Sequence, residues 1–339
     1  MKPVIILAIE SSCDDTAAAV CIGGKIVSNI VANQSIHEQY GGVVPELASR
    51  AHQQNIVPVV ALALQNAQIS VQDLSAVAFT QGPGLAGSLL VGTSFAKGLA
   101  LGLDLPLIAV NHMQAHILAH FIDEPKPKFP FVCLTVSGGH TQIVLLKDYF
   151  DIQIVGQTLD DAAGEAFDKI AKTMGLPYPG GHLIDALAKK GDAHKFQFTK
   201  PVVGNYDFSF SGLKTNFLYF IQKEIKKNPD FIAQNLNDLC ASVQKTIVDI
   251  LLTKLFKCAK HHQINQIAIA GGVSANSELR TRLETQGKKQ GFNTFIPRFE
   301  YCTDNAAMVA MVAHFKLLNN DFVSQNTAPN PRLAFGLMV

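Results

Sequence analysis

Several features are scarce or missing in this chain of 339 residues, and each absence argues against a class of protein. No segment runs through about 18 apolar residues without a charge or a turn signal, so a membrane span is not expected. The opening residues MKPVIILAIESSCDD become acidic too soon for a secretory signal peptide, which favours the cytoplasm. The six cysteines form no CxxC pair, a pattern typical of reduced thiols rather than of disulfides or a zinc knuckle.

An excess of charge of one sign is also missing, because the formal net charge is only +1. Composition therefore gives no global electrostatic case for nucleic acid, and an RNA partner would need a local patch or another subunit to hold it. The second half of the chain contains scattered basic residues that could belong to such a patch: Lys195, Lys200, Lys214, Arg280, Arg282, Lys288 and Lys289. Solvated surfaces have the same pattern, so this indication is weak.

What the chain does have is enough apolar sequence, 48% of its residues, for a sizeable core, and a pattern that occurs twice. Residues 4–33 read as strand, turn, strand, turn, strand, and residues 131–158 repeat this order. Strand–glycine turn–helix units follow in each half. The pattern predicts an α/β protein of the actin and Hsp70 kind, with lobes at 1–125 and 130–320 and a tail at 321–339 that packs back on the N-terminal lobe.

Glycine turns lie at the ends of predicted strands or helices in four places. They are Gly82–Gly87, Gly138–Gly139, Gly180–Gly181 and Gly271–Gly272. A single glycine turn needs no ligand, but four of them in a two-lobed chain favour a nucleotide or another phosphate-bearing ligand in an inter-lobe cleft. None matches GxxxxGK[ST], which excludes a P-loop.

The segment VNHMQAHILAH places histidines at four-residue intervals. In a helix His112 and His116 lie one turn apart on one side, where they could bind a metal or simply pack in the core. In TDNAAM, Asp304 could complete a two-histidine, one-carboxylate set, or it could complement the dipole of a helix capped by Thr303. We expect His120 to have a structural role.

Two acidic segments have simple structural interpretations. Asp160 and Asp161 are expected to cap a helix, whereas Asp168 lies past its first turn and could bind a ribose or another ligand hydroxyl. Glu46 and Arg50 are four residues apart and are expected to form an ion pair on a helix.

Ten segments in this order resemble one known family: ESSCDDT, YGGVVPELASRAH, GPGLAGSLLVG, NHMQAH, VSGGHTQ, DDAAGEAFDK, YPGG, FSFSGLKT, GGVSAN and CTDNAAM. The family is TsaD, the tRNA threonylcarbamoyltransferases, and the resemblance extends from Ile9 to about Met311. It implies an actin-like (ASKHA) fold of duplicated ribonuclease H-like domains. It also implies transfer of a threonylcarbamoyl group from threonylcarbamoyl-AMP to the N6 amine of adenosine 37, with release of AMP, in tRNAs that read codons beginning with A.

The resemblance also implies roles for particular residues. It makes His112, His116 and Asp304 ligands of one Fe²⁺ per subunit, with Zn²⁺ as the alternative. The residues implied to bind the adenylate are Thr135, Val136, Ser137, Gly138, Gly139, Asp168, Gly181, Asp185 and Asn276. As general base, Asp14 and Asp168 are both candidates. The implied partners are tRNA, a smaller paralogous subunit (TsaB) and an ATPase subunit (TsaE), with no membrane partner.

Three other functions remain as alternatives at this stage. A metalloprotease of the HExxH kind would need a carboxylate between the histidines, where this chain has Met113, Gln114 and Ala115. A sugar kinase or ATPase of the same fold would explain the glycine turns but not the histidine pair. A nucleotide-binding scaffold without activity would leave the intact set of metal ligands unexplained.

Overall fold

A computed structural model describes residues 3–34, 37 and 40–338 of the chain, without the side chain of residue 337. The described residues form two compact units. Unit 1 comprises the described residues up to Lys126 together with Arg298–Phe335. Unit 2 comprises Pro127–Pro297 and the described residues of Gly336–Val339.

Eleven strands occur in the described residues. They are β1 (Ile5–Glu10), β2 (Thr16–Ile22), β3 (Lys25–Ala32), β4 (Ala76–Gly82), β5 (Leu107–Asn111), β6 (Phe131–Val136), β7 (Thr141–Leu146), β8 (Ile152–Gln157), β9 (Gln266–Ala270), β10 (Asn293–Phe295) and β11 (Leu337–Met338). The two predicted groups of three strands are therefore confirmed as β1–β3 and β6–β8.

Nine α-helices accompany the strands in the same part of the chain. They are α1 (Pro45–Asn66), α2 (Ala86–Gly102), α3 (His112–Leu118), α4 (Ala163–Thr173), α5 (Gly181–Ala188), α6 (Ser211–Lys227), α7 (Phe231–His261), α8 (Ser277–Lys289) and α9 (Ala306–Leu318). None of the helices in the described ranges is both long and apolar enough to cross a membrane.

The two sheets have the same strand order. In unit 1 the order is β3-β2-β1-β4-β5. The pairs β3–β2 and β2–β1 are antiparallel, whereas β1–β4 and β4–β5 are parallel. In unit 2 the corresponding order is β8-β7-β6-β9-β10, with the same directions and with β11 added parallel to β8. This order is that of a ribonuclease H-like domain, so the predicted duplication is confirmed.

The central strands form because their side chains are buried on both faces of the sheet. All but the last residue of TAAAVCI in β2 are buried, as are all residues of FVCLTV in β6. Such continuous apolar runs are typical of strands covered on both sides. All six cysteines are free thiols, and five of them are buried, with Cys13 half-buried.

The C-terminal part of the chain differs from the predicted division into lobes. Residues 298–320, expected in the C-terminal lobe, belong to unit 1 together with residues 321–335, whereas β11 joins the sheet of unit 2. The reason is α9, whose residues 306–313 are all buried because the helix packs against β1, β2 and α3. A helix that is apolar all round needs such a covered position.

Two helix starts also differ from those predicted. Neither Asp160 nor Asp161 caps α4, which begins at Ala163. Asp160 instead accepts hydrogen bonds from the backbone N–H groups of Phe210 (2.7 Å) and Ser211 (3.2 Å), at the start of α6. Asp161 forms ion pairs with Lys169 and Lys214.

The start of α9 is the second difference. Asn305, not Thr303, caps this helix: its side-chain oxygen accepts a hydrogen bond from Met308 N at 3.0 Å. Asp304 therefore precedes the helix rather than occupying its first turn. Its carboxylate is thus not committed to the helix terminus.

Candidate metal centre and nucleotide loops

The histidine helix is defined by the end of β5. The side-chain oxygen of Asn111 accepts hydrogen bonds from Met113 N (2.9 Å) and Gln114 N (3.2 Å), which makes Asn111 the N-cap of α3. The helix thus begins at His112 and places His116 one turn later, as the spacing predicted. Every side chain of α3 is buried, so neither imidazole lies freely in solvent.

Asp304 completes a cluster of three potential metal ligands. His112 Nε2 lies 3.2 Å from His116 Nε2 and 3.4 Å from Asp304 Oδ1, and His116 Nε2 lies 3.2 Å from the same oxygen. All three residues belong to unit 1, although Asp304 falls within residues 130–320, the range predicted to form the C-terminal lobe. The packing of α9 against α3 brings them together.

The size of this triangle fits a small divalent ion. Ligands about 2.0–2.1 Å from a metal lie about 3.0 Å apart on an octahedral face and about 3.4 Å apart on a tetrahedral one. The three measured separations, 3.2, 3.4 and 3.2 Å, fall within this range. Two imidazoles and one carboxylate suit Fe²⁺ with open positions, and they also suit Zn²⁺.

The charges of the cluster favour a cation. Burial alone would lower the pKa of His112, but the carboxylates of Asp304 and Glu10 raise it to about 9. Burial lowers the pKa of His116, which Asp304 only partly offsets. Burial would raise the pKa of Asp304, but the two imidazoles lower it to about 2. A buried proton on an imidazole facing carboxylates is what a divalent cation replaces when it binds.

The other ring nitrogen of His112 faces a set of polar groups that sequence reasoning did not select. His112 Nδ1 lies 3.2 Å from Glu10 Oε2 and 3.1 Å from Ser12 Oγ. Glu10 is completely buried, and Thr80 Oγ1 donates a hydrogen bond to its Oε2 at 2.6 Å. The signal in the sequence was a carboxylate that ends an apolar strand, immediately before a polar turn.

The turn between β1 and β2 adds further carboxylates. Asp14, a predicted general base, lies half-buried there beside the Cys13 thiol. Its neighbour Asp15 was not predicted to have a role. Burial and the nearby carboxylates, Asp14 first and Asp304 next, raise the pKa of Asp15 to about 7.

The residues expected to bind the adenylate all lie in unit 2. Thr135 and Val136 end β6, and the turn Ser137–Gly139 follows. An added Cβ at Gly138 or Gly139 would have no neighbour within 4 Å, so this backbone borders open space. Gly271 packs against the same strand end: an added Cβ there would lie 2.5 Å from the carbonyl oxygen of Val136.

Asp168 fixes a second glycine turn of unit 2. Its Oδ1 accepts hydrogen bonds from the N–H groups of Gly180 (2.8 Å) and Gly181 (3.1 Å). Burial raises the pKa of Asp168, although these two hydrogen bonds lower it. One carboxylate oxygen thus holds the turn, and no hydrogen bond to the other is found among the described residues.

Asp185 and Asn276 meet at the start of α8. Asp185 Oδ1 accepts hydrogen bonds from Ser277 N (3.1 Å) and Ser277 Oγ (2.8 Å). The side-chain oxygen of Asn276 caps the helix by accepting from Leu279 N at 3.0 Å, and its amide donates to Gln244 Oε1 at 2.8 Å. Asn276 therefore has a structural role in addition to any contact with a ligand.

Five of the seven scattered basic residues make polar contacts within the fold, whereas Lys288 and Lys289 are exposed at the end of α8. Lys195, Lys200 and Lys214 are paired with Asp238, Asp249 and Asp161. Arg282 is paired with Asp249 and Glu278. Arg280 donates hydrogen bonds to the carbonyl oxygens of Ser274 and Pro297. Their charges are thus largely used within the fold.

Fold and site together define a duplicated actin-like α/β protein that carries a set of metal ligands and nucleotide-type glycine turns. The fold is similar to full-length HypF in its phosphate- and nucleotide-bound form, with a TM-score of 0.63 at 13% identity, over 95% of this chain and 47% of HypF. It is also similar to component A of (R)-2-hydroxyglutaryl-CoA dehydratase from Acidaminococcus fermentans, with a TM-score of 0.54 at 14% identity, over 93% and 99% of the two chains.

Sequence comparison is more specific than fold comparison. A family model described as TsaD, tRNA N6-adenosine threonylcarbamoyltransferase, matches residues 25–311. Proteins of that name from Riemerella anatipestifer and Christiangramia forsetii are each 61% identical to this chain, over 98% of its length and 98% and 99% of theirs. The relative from Porphyromonas gingivalis is 55% identical over 98% of this chain. The chain belongs to the tRNA N6-adenosine threonylcarbamoyltransferase family, and these names favour a transferase over a protease or a sugar kinase.

Proposed function

We propose that this chain transfers the threonylcarbamoyl group of threonylcarbamoyl-AMP to the N6 amine of adenosine 37, in tRNAs that read codons beginning with A, and releases AMP. The observation that carries the proposal is the match along nearly the whole chain to relatives named as this transferase, 61% identical over 335 residues in one case. The cluster of His112, His116 and Asp304, together with the glycine turns of unit 2, supplies suitable chemistry.

We assign one metal ion per chain to the triangle formed by His112, His116 and Asp304, with Fe²⁺ as the expected ion and Zn²⁺ as the alternative. The ion would act as a Lewis acid for the phosphate or acyl oxygen of the donor. The chain itself holds the ligands in place: α3 fixes the separation of the two imidazoles, and the packing of α9 brings the carboxylate to them.

We assign the adenylate to the loops of unit 2. The exposed backbone of Ser137–Gly139 offers N–H groups of the kind that bind phosphate oxygens. Thr135 and Val136 support this turn from the end of β6. The neighbouring turns are held together by hydrogen bonds of Asp168, Gly181, Asp185 and Asn276. These bonds would fix the protein groups that contact the adenylate before the donor binds.

The reaction needs positioning more than activation of the donor. The N6 amine attacks the carbamoyl carbon, the bond between that carbon and the phosphate oxygen breaks, and AMP leaves with the electron pair. A proton leaves the amine, and we retain the two predicted carboxylates, Asp14 and Asp168, as candidates to accept it. Alignment of donor and acceptor can supply on the order of 7 kcal/mol or more of the barrier reduction.

We further propose that tRNA binding depends on other subunits. The net charge is +1, and the predicted basic residues of unit 2 are largely paired with acids or backbone oxygens. A smaller paralogous subunit (TsaB) and an ATPase subunit (TsaE) are the expected partners, and the cytoplasm, where tRNA is found, is the expected location. The isolated chain should therefore turn over poorly at physiological salt.

Mass spectrometry of tRNA nucleosides tests this function. An unmodified tRNA transcript is incubated with threonylcarbamoyl-AMP, the chain and the two partner subunits, and is then digested to nucleosides. We expect threonylcarbamoyladenosine to appear, and to be missing when the transcript carries guanosine at position 37. If adenosine remains unmodified in the complete mixture, the proposed function is wrong.

A further inference from the structure

The carboxylate of Glu10 occupies an unusual position for an acidic side chain. It is completely buried at the end of β1, and within the described residues it forms no ion pair with a lysine or an arginine. Its contacts are Ser12 N (2.5 Å), Thr80 Oγ1 (2.6 Å) and His112 Nδ1 (3.2 Å). A buried charge is costly unless it is hydrogen-bonded or paired, so this arrangement needs an explanation.

We propose that Glu10 is the positioning residue of the metal centre: by accepting the proton of His112 Nδ1, it selects the tautomer in which Nε2 is free to bind the ion. This inference rests on the metal centre proposed above and adds a residue that does not itself contact the ion. A neutral imidazole carries one N–H, and the partner of one nitrogen determines which nitrogen is available. His112 Nε2 is the nitrogen that faces His116 and Asp304.

The surroundings of Glu10 fix the orientation of its carboxylate. Ser12 N–H donates to Oε1, whereas the Thr80 hydroxyl donates to Oε2, the oxygen that faces His112. Because Ser12 N is a backbone donor, the position of Oε1 requires an acceptor. An ionised carboxylate is an acceptor at both oxygens and therefore satisfies all three neighbours at once.

Glutamine at this position would reverse the selection. Its amide oxygen would satisfy the backbone donor at Ser12, which would leave the amide NH₂ facing His112 Nδ1 and the Thr80 hydroxyl. An NH₂ group can only donate, so it favours the imidazole with its proton on Nε2. In that tautomer Nε2 of His112 has no lone pair for the metal, although glutamine nearly matches glutamate in size and shape.

Ser12 offers a competing explanation, because its Oγ also lies 3.1 Å from His112 Nδ1. A hydroxyl can both donate and accept, so it follows the tautomer rather than imposing one. Removing the hydroxyl in Ser12→Ala leaves the carboxylate contact in place. The two variants therefore separate an orienting carboxylate from an orienting hydroxyl.

Zinc binding provides the test. The affinity for Zn²⁺ is measured by chelator competition on wild type, Glu10→Gln, Ser12→Ala and Val77→Ala, together with ¹⁵N NMR of the zinc-loaded wild type labelled at histidine. Val77 is a buried residue of β4 without a polar contact to the site, so Val77→Ala controls for a loss of stability in the same sheet.

We expect Glu10→Gln to bind Zn²⁺ about 10–100-fold more weakly than wild type, and the other two variants to stay within about threefold. The wild-type spectrum should show His112 protonated at Nδ1 and metal-bound at Nε2. Equal zinc affinity in Glu10→Gln and wild type would overturn the role of Glu10 and leave the metal centre standing, as would a proton on Nε2 of His112. If wild type itself binds no Zn²⁺, the metal centre and this inference both fall.

Discussion

The two units share one strand order but differ in the turn that follows their first strand. In unit 1 the turn after β1 reads SSCDD and follows the buried carboxylate of Glu10. In unit 2 the turn after β6 reads SGGH and leaves its glycine backbone next to open space. Carboxylates that converge with imidazoles favour a cation, whereas bare backbone N–H groups favour an anion. In the proposed function, equivalent turns of the two units would therefore lie beside ligands of opposite charge.

The segments that follow the parallel strands β5 and β9 differ in a similar way. In unit 1, β5 continues directly into α3 and its histidines, which lie close to Asp304. In unit 2, β9 ends at Ala270 and is followed by Gly271, a residue whose φ is +86° and whose ψ is 169°. Only glycine adopts this conformation easily, and it lets the turn approach β6 closely. The candidate site of unit 1 is therefore built mainly from side chains, whereas that of unit 2 also depends on glycine backbone.

Loss of a metal ligand should have the largest effect on activity, and its effect on ligand binding should be confined to unit 1. We expect His116→Ala to weaken metal binding by at least about 100-fold, more than the 10–100-fold typical of residues outside the ligand set, and to abolish transfer. Elemental analysis of the purified variant measures the metal, and calorimetry with AMP should show unchanged binding to unit 2. His120→Ala, which removes another buried histidine, is the control. A normal metal content in His116→Ala would make the histidine pair a packing feature only.

A substitution in unit 2 should have the opposite pattern, with weaker AMP binding and unchanged metal binding. Gly271→Ala places a Cβ 2.5 Å from Val136 O at a φ of +86°, so we expect it to cost about 1–3 kcal/mol and to weaken AMP binding by about tenfold or more. Metal content per folded chain should not change. Gly272→Ala is the matched control, because a Cβ there has no neighbour within 4 Å. Equal AMP affinity in the two variants would show that the turn does not shape the nucleotide site.

Acid should lower the stability of unit 2 through the ion pairs of Asp249, a buried carboxylate. Although burial would raise the pKa of Asp249, hydrogen bonds with Lys200, Lys245 and Arg282 hold it well below its usual range. A carboxylate whose pKa is lowered by folding contributes its full stability at pH values above its pKa in the unfolded chain, about 4. This stability is lost as the pH falls toward the pKa in the folded protein. We expect Asp249→Asn to lower the free energy of unfolding by about 1–3 kcal/mol at pH 7.

Denaturation with urea across pH 2–7 measures this effect. The gap between Asp249→Asn and wild type should narrow below about pH 4, where the wild-type carboxylate begins to lose its advantage. A gap that stays constant with pH would mean that packing, rather than charge, accounts for the loss.

The smallest effect is expected from an exposed pair in unit 1. Glu46 and Arg50 form the predicted ion pair at 2.9 Å, but their side chains are 70% and 71% exposed. We expect Arg50→Ala to change the free energy of unfolding by less than about 0.5 kcal/mol, and 0.5 M salt to remove the difference. Thermal unfolding at low and high salt measures it, and a loss above 1 kcal/mol would contradict this assignment.

Local patterns in the sequence predicted most of the fold. Strand periodicity located both groups of three strands, and the spacing of His112 and His116 located the ligand helix, because these features depend on neighbours within a few residues. The hydrogen-bond partners of Asp160 could not be predicted from neighbouring residues. A helix start follows it closely, but its hydrogen bonds go to Phe210 and Ser211 at the start of α6.

The metal cluster shows the same limit. Asp304 was predicted as a carboxylate partner for the histidines, but its assignment to the C-terminal lobe was wrong, because α9 packs in unit 1. Glu10 was not predicted as a site residue, because it ends a strand whose other five residues are all apolar. Its relation to His112 depends on the neighbouring positions of β1, β4 and β5 in the sheet, which sequence distance does not show.

Metal titration of transfer tests the central claim most directly, namely that the His112, His116 and Asp304 cluster holds one catalytic ion. Metal-depleted wild-type protein, with its partner subunits, unmodified tRNA and threonylcarbamoyl-AMP, receives increasing Fe²⁺ under anaerobic conditions, and the threonylcarbamoyladenosine formed is measured. We predict that product formation rises from near zero and saturates at one equivalent of metal per chain, and that Asp304→Asn does not respond. Full activity in the metal-depleted protein, or an equal response in Asp304→Asn, would contradict the account.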